Sequence, residues 1–185
     1  ESEWNDVIYL PGSEDGDVTG MPGNVEDVLS GTEQTRSSAT PARHGYTFAG
    51  WELTSPESLE VAEDGTFTMP SENVTFTATW DKDAAEWNDV IYLPGSEDGD
   101  VKGLPSNVTD QLSGTTQTVG QAAPTRHGYT FDGYKVEGLE GTEALQPGDT
   151  FAMPAKDVTL TAQWKVDESE WNDVIYLPGS EDGDV

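Results

Sequence analysis

The sequence predicts a mainly β chain with at most one short helix per module (α+β), built from two tandem copies of one module. Three observations carry that prediction. Glu3–Trp51 aligns without gaps on Glu86–Tyr134 at an offset of 83, with 36 of 49 positions identical, so the chain is a repeat before it is anything else. Thr66–Trp80 aligns on Thr150–Trp164 after a stretch that shares almost nothing. Val74-Thr75-Phe76-Thr77-Ala78-Thr79-Trp80, repeated as Val158–Trp164, alternates apolar residues with polar ones, the period-two pattern of a half-buried strand.

The remaining elements follow in chain order. Val7-Ile8-Tyr9-Leu10, closed by Pro11-Gly12, is a continuous apolar run and predicts a strand covered on both faces. Asn24–Ser30 and its counterpart Asn107–Ser113 carry an asparagine at the start and a glycine just beyond the end, the cap pattern of a two-turn helix. Tyr46-Thr47-Phe48 and Tyr129-Thr130-Phe131 open a second strand after a His-Gly turn. Phe67 and Met69 mark a brief strand before Pro70. The short charged segments Asp81–Ala85 and Lys165–Ser169 read as linkers. The domain division is therefore 1–83, 84–167, and a third opening segment at 168–185, where Glu1–Val18 recurs unchanged. The sequence leaves two readings of that last segment open: it completes the preceding body by strand addition, since an unpaired apolar strand recruits a partner, or it is the start of a third module.

Composition narrows the function. Eight Lys+Arg against 36 Asp+Glu give a net charge of -28, which repels phosphate backbones and anionic membranes, so nucleic acid is not an expected partner. No cysteine is present, so thiol chemistry, thiolate metal sites and disulfides are excluded. No apolar run is long enough for a membrane span, and no insertion in this stretch is expected; an export signal is expected outside it. Residues 1–80 contain no lysine, which excludes a lysine–asparagine cross-link inside the first copy.

Arg43-His44-Gly45-Tyr46-Thr47-Phe48-Ala49-Gly50-Trp51, then Phe67-Thr68-Met69-Pro70 and Asn73–Trp80, resembles the Listeria–Bacteroides repeat family, B-repeat-like modules of internalin-type and other bacterial surface proteins. The second copy gives His127-Gly128-Tyr129-Thr130-Phe131-Asp132-Gly133-Tyr134, Phe151-Ala152-Met153-Pro154 and Trp164. The likeness covers the second half of each module; Pro11–Asp17 and the longer insertion after it depart from the family's usual first turn. The resemblance implies β-grasp-like modules in an elongated array on an extracellular cell-surface protein, and it supplies no catalytic residues.

His44 and His127 sit in the same turn of each copy with no orienting acid or paired serine, so no enzyme is expected and no cofactor. The metal candidates are Glu14, Asp15 and Asp17, with Glu97, Asp98 and Asp100, carboxylates around a glycine that could offer oxygen ligands to calcium. Trp80 and Trp164 fall on the apolar phase of their strands and are assigned to the core. Trp51 stands out of phase with Phe48, and its counterpart is Tyr134; this pair is expected to be exposed and able to bind a ligand. The leading function is a structural stalk or spacer of an adhesin-like protein, with neighbouring repeats as partners. The alternative is an adhesive module for a glycan or host protein, assisted by calcium.

Overall fold

In a computed structural model, which describes residues 3–176, the chain divides between Ala85 and Glu86 into two compact units. The first contains β1 (Trp4–Leu10), β2 (Val18–Thr19), β3 (Val25–Leu29), β4 (Glu33–Thr35), β5 (Ala42–Arg43), β6 (Tyr46–Ser55), β7 (Thr66–Thr68) and β8 (Val74–Lys82). The second contains β9 (Trp87–Leu93), β10 (Val108–Leu112), β11 (Thr116–Thr118), β12 (Tyr129–Glu137), β13 (Ala144–Leu145), β14 (Thr150–Ala152) and β15 (Val158–Val166). One 3-10 turn, Glu168–Glu170, follows β15.

The alternating segment read from the sequence forms the centre of each sheet. β8 lies between β6 and β1 in the order β2-β5-β6-β8-β1-β3, and β15 lies between β12 and β9 in the order β10-β9-β15-β12-β13. Val74, Phe76 and Ala78 are buried, as are Val158, Leu160 and Ala162, while the threonines between them are half-buried. The first and last strands of each unit run parallel, Val7 opposite Val74 and Val90 opposite Val158. That parallel centre between antiparallel flanks is the mixed sheet of the β-grasp-like reading. A second small sheet, β4 with β7 or β11 with β14, brings Phe67 and Met69, or Met153, over one face of the large sheet.

Several expectations are corrected or settled. The helix at Asn24–Ser30 and Asn107–Ser113 is a strand in both copies, β3 and β10. Its asparagine does not cap a helix: the side-chain oxygens of Asn24 and Asn107 accept the backbone N–H of Tyr9 and Tyr92 across the sheet, each at 2.9 Å. Pairing with the opening strand outweighs a two-turn helix that nothing else would stabilise. A bulge then sets Asp27 and Asp110 at φ 54° and 56°, their N–H groups held by the carboxylates of Asp6 and Asp89.

The opening run is covered on alternate residues only: Val7 and Tyr9 are buried, whereas Leu10 is exposed. The strands also continue into the supposed linkers, β8 to Lys82 and β15 to Val166.

Finally, the tail does not add as a strand over residues 171–176. Val174, Ile175 and Tyr176 are exposed there, and residues 177–185 of that segment lie outside the described residues. β1 and β9 each pair with the final strand of the body that follows them, so an opening strand belongs to its downstream module.

Candidate functional site

The acidic loop after the first strand is held from both ends. At its start, Gly12 has φ +64°, and a Cβ there would fall 1.9 Å from the Ala78 carbonyl oxygen; Gly95 repeats this at φ +62° against Ala162. Only glycine permits that approach. The indole N–H of Trp80 donates to Pro11 O at 2.8 Å, and Trp164 does the same to Pro94 O. The half-buried tryptophans assigned to the core thus also pin the loop.

Within the loop, Ser13 Oγ donates to Asp17 Oδ1 at 2.7 Å and accepts the N–H of Asp15 at 3.3 Å. Arg43, 26 residues away in sequence, closes the cluster: Nε donates to Asp17 Oδ2 at 2.6 Å and Nη2 to Asp15 Oδ2 at 3.1 Å. The guanidinium carbon lies 4.0 Å from the Tyr46 ring centroid, a cation–π contact. In the second module Ser96, Asp98, Asp100, Arg126 and Tyr129 repeat the arrangement, with Arg126 Nε to Asp100 Oδ2 at 2.7 Å and Nη2 to Asp98 Oδ2 at 2.9 Å. The hydrogen bond from Arg43, supported by Ser13, holds the Asp17 carboxyl below its usual range, and that from Arg126 does the same for Asp100. The arginines are correspondingly raised, chiefly by those same bonds.

This geometry redirects the metal candidates. Asp15, Asp17, Asp98 and Asp100 face a guanidinium, while Glu14 and Glu97 are exposed. Among the described residues, no three His, Asp or Glu side chains converge as a metal-holding group. A cation bound through the Oδ2 atoms of these aspartates would compete with an arginine whose side chain is only 13 % exposed in module 1 and 11 % in module 2. The residues missed by sequence reasoning are therefore Arg43 and Arg126. Their signal was present: they are retained at one offset in a chain with only eight basic residues.

The aromatic candidates are corrected outright. Trp51 is 9 % exposed and Tyr134 0 %. Both face the core because a bulge after Phe48 and after Phe131 inserts one residue, so the next aromatic returns to the same face. Phe48 and Trp51 meet edge to face at 5.4 Å between centroids, and Phe131 and Tyr134 at 5.0 Å. Neither offers an exposed platform. His44 and His127 sit at the tip of the β5–β6 turn and its counterpart, where both are exposed.

Two all-β modules, each with a clamped acidic loop and a core closed by its own aromatics, define a tandem repeat protein. The family model for the divergent InlB B-repeat domain matches residues 8–84 and 91–168, and the chain belongs to that family. A protein of Evansella cellulosilytica described as a "putative membrane protein" is 28% identical over 142 residues, 77% of this chain and 20% of its own length. A "putative Gly-rich membrane protein" of the same organism is 28% identical over 130 residues, 68% of this chain and 14% of its own length. The chain thus spans a fifth or less of these relatives. Among solved structures, streptococcal high identity repeats in tandem (SHIRT) domains 3-4 from a cell surface protein align with TM-score 0.37 and 15% identity, over 89% of this chain and 99% of that one.

Proposed function

We propose that the chain is a non-enzymatic structural repeat, a stalk or spacer segment of a bacterial cell-surface, adhesin-like protein working outside the cell. The observation that carries this reading is where the recurrent polar residues are spent. Ser13, Asp15, Asp17, Arg43 and Asn24 all bind their own scaffold, and their counterparts 83 residues on do the same. These shared polar residues maintain the shape of the module. The family assignment and the relatives described as membrane proteins support a place at the cell envelope. A net charge of -28 favours separation of neighbouring copies. The partners of each module are then the adjacent repeats of its own chain.

The adhesive alternative loses the aromatic pair that motivated it, since Trp51 and Tyr134 are interior. A glycan array probed with the intact chain, together with calorimetric titration by calcium, tests the choice. The spacer reading expects no binding in either. Saturable glycan binding, or calcium uptake lost on Asp17→Asn with Asp100→Asn, would replace it with the adhesive one.

A further inference from the structure

Past the end of β15 the chain turns back onto the module it has just completed. Asp167 donates its N–H to Gly128 O at 3.0 Å, and its carboxylate accepts the N–H and Oγ of Ser169 at 3.1 and 2.6 Å. This caps the Glu168–Glu170 turn, which delivers Trp171 to the same carbonyl: its indole N–H donates to Gly128 O at 2.9 Å. The indole meets the Tyr129 ring edge to face, with centroids 6.0 Å apart and planes at 83°. Arg126 in turn lies 3.9 Å from the Tyr129 ring centroid, with Asp98 and Asp100 behind it. Gly128 has φ +76°, and a Cβ there would lie 3.0 Å from the indole nitrogen, so glycine at the turn is what makes room for the ring.

Trp171 is the counterpart of Trp4 in the repeated opening segment, and Trp4 is 59 % exposed. The backbone of Trp4 and of the residues after it pairs with its own downstream body, Trp4 opposite Leu29 and Val7 opposite Val74. We propose that the His127-Gly128-Tyr129 turn is a docking site for the opening tryptophan of the repeat that follows, braced by the Asp–Arg–Tyr clamp. The joint then falls inside the repeat. The Asp167 cap and the Trp171 indole serve the module before it, whereas the backbone of an opening strand, from its tryptophan onward, serves the module after it. The connector half of the device recurs in the first module, where Asp83 donates its N–H to Gly45 O at 2.9 Å and its Oδ1 accepts the N–H of Ala85 at 3.1 Å. The docking does not depend on the spacer reading.

Trp171 keeps 56 % of its surface exposed, so it docks by an edge and the decisive readout is local. Nitrogen–proton NMR of the full chain supplies it, with Trp171→Ala assigning the indole signal. The Trp171 indole proton is expected to exchange with solvent roughly tenfold more slowly than that of Trp4, as a hydrogen-bonded site does. Trp171→Ala should shift the Gly128 and Tyr129 amides. Arg126→Gln should move the Trp171 indole signal toward the Trp4 position, because the brace behind Tyr129 is gone. Unchanged Gly128 and Tyr129 amides in Trp171→Ala, or indole exchange as fast as that of Trp4, would overturn the docking. A particle found compact in scattering would remove the spacer reading and leave these local outcomes as they stand.

Discussion

Where β6 and β12 cross the core, the two modules solve one packing problem in different ways. Module 1 places Trp51 there, and its indole N–H donates to Ala39 O at 3.0 Å, while Arg36 Nη1 donates to Trp51 O at 3.4 Å. Module 2 has Tyr134 in place of the tryptophan and Val119 in place of the arginine, both fully buried. The Tyr134 hydroxyl has no hydrogen-bond partner among the described residues, and burial, with some contribution from Tyr92, pushes its pKa up to about 12. Around this difference the scaffold is constant. Tyr9 OH accepts the Ser37 N–H at 2.7 Å, and Tyr92 OH accepts the Gly120 N–H at 3.0 Å. The loop clamps and the opening strand are identical in the two copies, whereas this part of the core differs at two positions, Trp51 against Tyr134 and Arg36 against Val119, and both versions are packed.

The largest way to break the comparison is at the varied position itself. Trp51→Ala should cost module 1 about 3–5 kcal/mol in denaturant unfolding, from lost contacts and the cavity left behind.

Removing only the polar atoms should split the copies in sign. Trp51→Phe strands the Ala39 carbonyl and lowers stability, while Tyr134→Phe removes an unpartnered buried hydroxyl and raises it by about 1 kcal/mol. Equal signs would mean that the Tyr134 hydroxyl has a partner in solution.

The clamps should instead behave alike. Because Asp17 and Asp100 titrate below the usual range, their contribution is present above about pH 4 and lost as the pH falls through their folded-state values. Melting temperatures from pH 6 to pH 2 should show this loss in the native chain and a shallower one in the Arg43→Gln, Arg126→Gln double variant.

The smallest effect is expected at the bulges. Asp27→Gly and Asp110→Gly should each stabilise by less than about 1 kcal/mol, since glycine relieves the positive φ at some cost in chain entropy.

These differences also show what was legible in the sequence. The period-two pattern of Val74–Trp80 survived into β8 intact because a central strand buries every second residue. The repeat itself gave the two-module organisation. Asn24–Ser30 misled because an asparagine that bonds across a sheet looks like one that caps a helix. Trp51 misled because a bulge at Gly50 changes the phase, and counting by twos cannot register an inserted residue. The acidic loop was visible as charge alone. Its partner, Arg43, lies 26 residues further on, and only the fold brings the two together.

Small-angle X-ray scattering of the intact chain, with and without calcium, tests most directly whether these modules form a spacer. The account predicts an extended particle whose dimensions do not respond to calcium. A compact particle, or one that changes size when calcium is added, would contradict it.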